Sequence, residues 1–410
     1  MATEVATRPD TSELLRVATA GSVDDGKSTL IGRLLYETKQ VYEDQLESVQ
    51  RTSVERGDSY VNLALLTDGL RAEREQGITI DVAYRYFQTP RRKFILADTP
   101  GHEQYTRNMV TGASTAEVAL ILVDARNGVL EQSRRHALIA SLLRIPHAVV
   151  CVNKMDLVDF DEGAFDAVVR DFSSLPLRHV TFIPVSALHG DNVVDRSERT
   201  PWYAGPALLE WLEELEVTAD RNLDDLRFPV QLVLDGGAAG QLAGGVLRPG
   251  DEVEVLPSGT RTRIAAVETA DGALDEAYPP LSVSVRLEDG SGLRRGDMIV
   301  GAGEGLSART ALDATVCWMS DRPLSTGDLL RLKHTTRVVE ARVEDIAARL
   351  DVTSLIEEPA EELGLNDIGR VRLRLDEPVF ADPYERNRVT GSFILIHEDT
   401  GDTAGAGLVN

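Results

Sequence analysis

The chain has 410 residues, of which 42% are hydrophobic and 27% charged, a globular composition that predicts about two to four domains. Its net charge of −24 argues against a large general nucleic-acid surface, and no apolar run approaches the ~20 residues that span a bilayer. Cys151 and Cys317 lie far apart in apolar surroundings, and the N-terminus lacks a secretory signal. We therefore expect buried free thiols and a cytoplasmic protein without membrane or nucleic-acid partners.

The first half of the chain alternates short apolar runs with longer helical patterns. The runs are rich in Val, Ile and Leu, which is typical of strands buried on both faces of a parallel sheet. The segments between them are long enough for crossover helices. We therefore predict an α/β domain with the strands LLRVATA (14–20), KFILADT (93–99), VALILVD (118–124), AVVCVNK (148–154) and TFIPVSA (181–187).

The sequence texture changes in the second half. A helix in GPALLEWLEELE ends near Glu216, and the acidic segment VTADRNLDDLR follows as a predicted linker. Beyond it, strands such as DEVEVLP, LSVSVRLE and GSFILIHE are separated by turns with Gly and Pro, which is typical of β-barrels. We predict an α/β domain at 12–218 and β-barrel domains at 226–306 and 309–410.

A phosphate-binding loop lies at the first strand-to-helix junction. GSVDDGKS matches G-x-x-x-x-G-K-[ST] and stands between a predicted strand and a predicted helix, as the motif requires. Glycines let backbone N–H groups face a phosphate, and the helix N-terminus adds its positive end. Lys27 can reach the β- and γ-phosphates, and Ser28 can ligate Mg²⁺. The predicted nucleotide-binding residues here are Gly21, Ser22, Val23, Asp24, Asp25, Gly26, Lys27, Ser28 and Thr29.

Two further motifs follow predicted strands. In ADTPGHEQ, Asp98 can hold Mg²⁺ through a water, and the N–H of Gly101 can meet the γ-phosphate. In NKMD, Asp156 can accept hydrogen bonds from N1–H and N2–H of guanine, which adenine cannot match. Asn153 and Lys154 brace the loop and the base. The motif therefore favours GTP over ATP.

A fourth short motif, SAL, follows the last predicted strand. It comprises Ser186, Ala187 and Leu188, and one of its backbone N–H groups could meet O6 of guanine. The four motifs occur in the order of nucleotide-binding domains, each at a strand end. Together they predict a GTPase domain whose ligand lies at the carboxyl edge of the sheet.

The segment REQGITID (74–81) resembles the first switch of translation-factor-type GTPases. That resemblance implies that Thr79 ligates Mg²⁺ and senses the γ-phosphate, and that His102 positions the attacking water. A P-loop GTPase domain followed by two β-barrel domains also resembles elongation factor Tu. The loop differs, because elongation factors usually carry His in place of Ser22, and a small residue or His in place of Asp25. The predicted catalytic residues are His102, Lys27 and Thr79, and the predicted metal ligands are Ser28, Thr79 and Asp98.

Longer stretches resemble the large, GTP-binding subunit (subunit 1) of bacterial sulfate adenylyltransferase. They are GSVDDGKSTLIGRLLYETKQVYEDQLESV, LALLTDGLRAEREQGITIDVAYRYF, ADTPGHEQYTRNMVTGAS, DARNGVLEQSRRHALIASLL and LNDIGRVRLRLDEPVFADPYERNRVTGSFILI. The likeness covers residues 12–409, although the middle domain looks shortened and altered before Leu247. It implies a heteromeric enzyme that makes adenosine 5′-phosphosulfate and pyrophosphate from ATP and sulfate. In this family the GTPase subunit couples GTP hydrolysis to that unfavourable step.

The sequence agrees with a division of labour between two subunits. It contains no S-G-G-x-D-S pyrophosphate loop, no H-x-G-H motif and no second G-x-x-x-x-G-K-[ST], so a fused adenylylsulfate kinase is not expected. The expected partner is the small catalytic subunit, in a heterodimer or larger hetero-oligomer, and the expected cofactors are GTP and Mg²⁺. Two alternatives stay open: a translation-factor-like GTPase that binds aminoacyl-tRNA, and a regulatory GTPase without energy coupling.

Overall fold

The computed structural model describes residues 14–57, 60–66, 82–99, 106–217, 221–351 and 356–410. The chain divides into two compact units, Met1–Glu216 and Val217–Asn410. The first unit contains helices around a sheet, and the described part of the second is built from strands. Within these described ranges, no helix is both long enough and apolar enough to cross a membrane.

Six strands form the central sheet of the first unit: β1 (Leu14–Ala20), β2 (Ala83–Gln88), β3 (Lys93–Asp98), β4 (Val118–Asp124), β5 (His147–Asn153) and β6 (Val180–Pro184). Their order is β2-β3-β1-β4-β5-β6, and only β2 is antiparallel to its neighbour. Every residue of β4 is buried, as its unbroken apolar sequence requires of a central strand covered on both faces. The predicted parallel sheet is confirmed, with the edge strand β2 added.

The described helices of this unit are α1 (Lys27–Glu37), α2 (Glu43–Arg56), α3 (Thr106–Ala113), α4 (Glu131–Leu142), α5 (Glu162–Phe172) and α6 (Leu208–Glu214), with short 3-10 helices at Leu63–Leu66 and Met155–Val158. Helix α5 shows how the sequence defines such an element. The side chain of Asp161 caps it by accepting a hydrogen bond from Ala164 N–H at 2.9 Å. Phe165, Val168 and Phe172 recur on one face of this helix and are buried in the first unit.

The second unit begins with an eight-stranded antiparallel sheet around one apolar core. Its strands are β7 (Arg227–Pro229), β8 (Leu232–Leu234), β9 (Gly237–Gln241), β10 (Glu252–Leu256), β11 (Thr260–Thr269), β12 (Gly272–Leu274), β13 (Ser282–Leu287) and β14 (Met298–Gly301). Alternation of buried and exposed residues along β10 and β13 places one face of the sheet on the core.

A second β-structure closes on itself around its own core. Its strands are β15 (Arg309–Trp318), β16 (Leu324–Ser325), β17 (Leu329–His334), β18 (Arg337–Leu350), β19 (Glu357–Glu358), β20 (Glu362–Leu363), β21 (Ile368–Val379), β22 (Ser392–Ile396) and β23 (Thr403–Val409). The order β17-β22-β23-β15-β21-β18 returns to β17 through a further β17–β18 pairing, which makes a barrel. The predicted fold class, an α/β GTPase domain followed by two β-barrels, is confirmed.

The end of the predicted acidic linker packs within the second unit. Asn222 Oδ1 accepts hydrogen bonds from the N–H groups of Asp224 and Asp225, and the Asp225 carboxylate binds Arg386 at 2.5 and 2.7 Å. One acidic side chain of this segment, Asp225, is therefore held in an ion pair with Arg386. The boundaries 12–218, 226–306 and 309–410 stay predictions.

A buried ion pair joins the two β-structures. Arg227 of β7 binds both carboxylate oxygens of Asp382, at 2.8 and 3.0 Å, and each residue is 3% exposed. Thr390 Oγ1 donates a further hydrogen bond to Asp382 at 2.6 Å, and Glu304 contacts Arg227 from the other side. Two buried charges with this many partners fix one geometry between β7, which carries Arg227, and the segment after β21, which carries Asp382.

We expect Arg227→Met to lower the free energy of unfolding of the full chain by about 3–5 kcal/mol, because Asp382 stays buried without its cation. The double variant Arg227→Met/Asp382→Leu removes both charges and should recover most of that loss. Urea unfolding of the three proteins measures the difference. A loss below about 1 kcal/mol in the single variant would show that the pair contributes little.

Candidate nucleotide-binding site

The phosphate-binding loop joins β1 to α1 with a glycine at each end. Gly21 has φ +142° and Gly26 has φ +93°, and both conformations disfavour a side chain. A Cβ on Gly26 would lie 2.5 Å from Asn153 Nδ2, and one on Gly21 would lie 2.8 Å from the carbonyl oxygen of Leu122. The loop therefore passes close to β4 at Gly21 and to the end of β5 at Gly26, and only glycine fits at these two positions.

The ammonium of Lys27 is enclosed by the loop. Its Nζ donates hydrogen bonds to the carbonyl oxygens of Gly21 at 2.9 Å and Ser22 at 2.8 Å, and the residue is 7% exposed. Burial lowers the pKa of this ammonium, and the nearby carboxylates of Asp98 and Asp25 oppose the shift. A cation held in a ring of backbone groups is suited to a phosphate, so the loop fits a nucleotide.

Asp25 and Asp24 shape the same loop. The Asp25 carboxylate accepts a hydrogen bond from Ser22 N–H at 2.6 Å and is buried, and this burial raises its pKa. Asp24 adopts φ +70°, and its carbonyl oxygen accepts a hydrogen bond from Lys154 Nζ. Lys154 also forms an ion pair with Asp124 at 2.9 Å. The loop is therefore tied to the NKMD segment that follows β5.

The predicted base-recognition residues are brought together by Asn153. Its Nδ2 donates to the carbonyl oxygen of Asp25 at 2.7 Å, and its Oδ1 accepts from Ala187 N–H at 3.0 Å. Ser186 Oγ donates to Asp156 Oδ1 at 2.6 Å. The phosphate loop, NKMD and SAL motifs thus form one hydrogen-bonded edge. Because Asn153 uses the N–H of Ala187, the N–H of Leu188 is the remaining donor of SAL for a base oxygen.

The predicted metal ligands Ser28 and Asp98 lie at the same edge. Ser28 is in the first turn of α1, and Asp98 is the last residue of β3, 2% exposed, with Thr19 Oγ1 3.3 Å from its Oδ1. A hydroxyl and a carboxylate suit Mg²⁺, which usually takes one or two protein oxygens and fills its shell with water and phosphate. In the described part of the chain, no group of three or more His, Cys, Asp or Glu side chains is arranged to hold a metal ion.

Three predicted site residues fall outside the described residues. They are Thr79, Gly101 and His102. Their roles in metal binding, γ-phosphate contact and water positioning stay predictions. Val23 and Thr29 are in the described loop, where Val23 is 38% exposed and Thr29 is the third residue of α1.

His136 is a residue of this site that the sequence did not reveal. Its Nδ1 lies 3.0 Å from the N–H of Gly21 and accepts that hydrogen bond, and the ring is buried. Burial first, and the charge of Lys27 second, lower its pKa to about 3, so the ring is neutral at physiological pH. The only available signal was its place on the apolar face of α4. It carries no nucleotide motif.

Asp124, at the end of β4, was missed in the same way. Although burial raises the pKa of this carboxyl group, hydrogen bonds from Arg126 and Lys154 lower it to about 2. Its charge therefore persists and holds Lys154 beside the loop. Both predicted thiols, Cys151 and Cys317, are free and buried, as expected.

Comparison with known proteins gives the family. Residues 12–224 match the elongation factor Tu GTP-binding domain, and residues 311–410 match the GTP-eEF1A C-terminal domain-like family. Sulfate adenylyltransferase subunit 1 of Bacteroides fragilis (strain YCH46) is 49% identical, covering 98% of this chain and 87% of that protein. The chain belongs to the sulfate adenylyltransferase subunit 1 family. The subunit 1 of Cellvibrio japonicus (strain Ueda107) is 50% identical, covering 97% of this chain and 86% of that protein.

One longer relative is also similar in sequence, and one solved structure is similar in fold. The bifunctional enzyme CysN/CysC of Mycobacterium tuberculosis (strain ATCC 25618 / H37Rv) is 57% identical, covering 97% of this chain and 67% of that protein. The GTPase-like domain of S. cerevisiae Ski7, in a structure bound to GTP, is similar in fold, with a TM-score of 0.52, 17% identity and 97% coverage of both chains. The predictions of a GTP-binding enzyme and of its family are thus confirmed.

We expect acid to destabilise the folded chain partly through His136. The unfolded ring has a pKa near 6.5 and the folded ring near 3, so between these values only the unfolded state binds the proton. The stability from this group is lost as pH falls below 6.5, by at most about 1.4 kcal/mol per pH unit. His136→Asn keeps an acceptor for Gly21 and removes the titration. Its urea unfolding free energy should fall less steeply between pH 6.5 and 5.

The exposed His179, at the amino end of β6, provides the control. His179→Asn should reproduce the pH dependence of the unchanged chain in the same urea series, because it leaves the buried ring in place. Identical slopes for His136→Asn and the unchanged chain would contradict the role assigned to burial of His136.

Proposed function

We propose that this chain is the GTPase subunit of a sulfate adenylyltransferase. It couples GTP hydrolysis to the synthesis of adenosine 5′-phosphosulfate and pyrophosphate from ATP and sulfate, and adenylyl transfer takes place on a separate small subunit. The observation that carries the proposal is the identity of 49–50% with proteins named sulfate adenylyltransferase subunit 1, over 97–98% of the chain. The absence of S-G-G-x-D-S and H-x-G-H motifs supports a separate site for ATP and sulfate.

GTP lies, in this proposal, along the carboxyl edge of the sheet. Lys27 and the backbone N–H groups of the loop bind the phosphates, since the ammonium and the N–H dipoles both present positive charge at the start of α1. Ser28 and, through a water, Asp98 would hold Mg²⁺, which would neutralise phosphate charge. Asp156 accepts from N1–H and N2–H of guanine and excludes adenine. The hydrogen bond from Ser186 to Asp156 orients that carboxylate.

Hydrolysis rests on positioning and charge stabilisation, because phosphoryl transfer needs little covalent participation by the protein. His102 orients the water that attacks the γ-phosphate in line with the leaving oxygen. Thr79 would be a further ligand of Mg²⁺ and would contact the γ-phosphate, and loss of that phosphate on hydrolysis would release the first switch. The conformation of the first switch then depends on whether GTP or GDP is bound, and the small subunit responds to it. Coupling of GTP hydrolysis to adenylyl transfer is therefore a property of the complex.

The decisive experiment mixes the full chain with its small subunit and measures pyrophosphate released from ATP and sulfate. The reaction is run with GTP, with a non-hydrolysable GTP analogue and with no guanine nucleotide. Energy coupling predicts that GTP raises product accumulation and that the analogue does not sustain it. Equal stimulation by GTP and the analogue would instead identify a regulatory switch. No effect of either would overturn the sulfate proposal and return attention to aminoacyl-tRNA binding.

His102→Ala tests the chemical step separately. We expect GTP hydrolysis to fall at least about 100-fold, because the variant cannot orient the water, while GDP affinity stays within about twofold. Turnover and GDP binding are measured on the same preparation. His179→Ala, at the opposite end of the sheet, should leave turnover unchanged. Unchanged turnover in His102→Ala would remove this histidine from the mechanism.

A further inference from the structure

Arg33 of α1 contacts the loop that contains the SAL motif. Its Nε donates a hydrogen bond to the carbonyl oxygen of Ala187 at 3.1 Å, and its Nη2 donates to the carbonyl oxygen of Leu188. Its Nη1 forms an ion pair with Glu37, one turn later on the same helix, at 3.3 Å. One guanidinium thus holds two successive carbonyl groups and is itself held by a carboxylate.

The loop is also pressed against α1 beside this contact. Gly190 has φ +89°, and a Cβ there would lie 2.6 Å from Glu37 Oε1 and 3.7 Å from Arg33 Cδ. The N–H of Gly190 donates to the carbonyl oxygen of Ser186 at 2.7 Å. Arg33, Glu37 and Gly190 therefore form a tight seam between the helix and the loop.

The seam determines where the backbone donors of the loop point. The carbonyl of Ala187 and the N–H of Leu188 belong to one peptide group, and in a trans peptide these two point in opposite directions. Holding the carbonyl toward α1 therefore aims the Leu188 N–H away from α1. A guanidinium on the carbonyl also polarises the peptide and strengthens its N–H as a donor.

The same loop is held on its other side by the base-recognition residues. Ala187 N–H donates to Asn153, and Ser186 Oγ donates to Asp156. Helix α1 begins at Lys27 in the phosphate loop, and six residues of helix place Arg33 about 9 Å further along its axis. One helix therefore carries a phosphate-binding group at its start and a loop-holding group in its middle.

We propose that Arg33 is a positioning residue for guanine recognition. It aims the backbone N–H of Leu188 at O6 of the base, and it links this base contact to the phosphate loop through α1. The inference rests on the proposed nucleotide site, in which SAL faces the base. Arg33 touches no nucleotide itself and acts through the peptide group between Ala187 and Leu188.

The test compares Arg33→Ala with the unchanged full chain on three diphosphates. GDP carries O6 and the 2-amino group, inosine diphosphate carries O6 alone, and 2-aminopurine riboside diphosphate lacks O6. We expect Arg33→Ala to weaken GDP and inosine diphosphate binding by about tenfold each, the usual effect of one well-placed hydrogen bond. The analogue without O6 should bind both proteins equally. Isothermal titration gives the three affinities.

Equal GDP affinity of Arg33→Ala and the unchanged chain would overturn the proposal. An equal loss of affinity for all three diphosphates would also overturn it, because a purely structural role of Arg33 would produce that result. Failure of the unchanged chain to bind GDP would instead reject the nucleotide site itself.

Arg33→Lys keeps the positive charge but lacks the planar fork of N–H donors, so it should show a smaller loss of affinity that still depends on O6. It also keeps the test valid if Arg33→Ala fails to fold. Arg51→Ala, on the exposed face of α2, is the matched control and should bind all three diphosphates normally.

Discussion

The buried ammonium of Lys27 is the constraint on which the rest of the site depends. A charge out of contact with water is costly unless polar partners surround it, and here the carbonyl groups of Gly21 and Ser22 provide them. The backbone can wrap around the ammonium only because Gly21 and Gly26 adopt conformations that disfavour other residues. The loop that results presents N–H groups and positive charge at the end of a parallel sheet, where such folds bind ligands.

The loops around this centre are shaped by bonds from side chains to distant backbone groups. His136 accepts from Gly21, Asn153 donates to Asp25, and Arg33 donates to Ala187, across 115, 128 and 154 residues of sequence. Each bond fixes a peptide group that would otherwise need the ligand to order it, and ordering a residue is costly in entropy. In the proposed site, these bonds order the loops before a nucleotide binds, which lowers the entropy cost of binding.

The sequence predicted the parts of the site that are local in the chain. The strands β1 and β4, the phosphate loop and the NKMD segment each have a short pattern with a physical meaning, and the structure places them together. His136 and Arg33 could not be predicted, because one looks like any residue on a buried helical face and the other like an ordinary surface charge. Their roles come from tertiary packing across more than 100 residues. The ion pair of Asp225, in the predicted linker, could not be predicted for the same reason, since its partner Arg386 is 161 residues away.

A titration decides whether this edge of the sheet holds a guanine nucleotide through paired hydrogen bonds or through phosphate charge alone. The full chain is titrated with GDP and with ADP in the presence of Mg²⁺, at equal ionic strength. We expect GDP to bind at least about a hundredfold more tightly than ADP, because adenine leaves Asp156 unpaired. Equal affinities for GDP and ADP would mean that only the phosphate loop contributes, and would contradict the assignment of Asp156 and the SAL loop to the base.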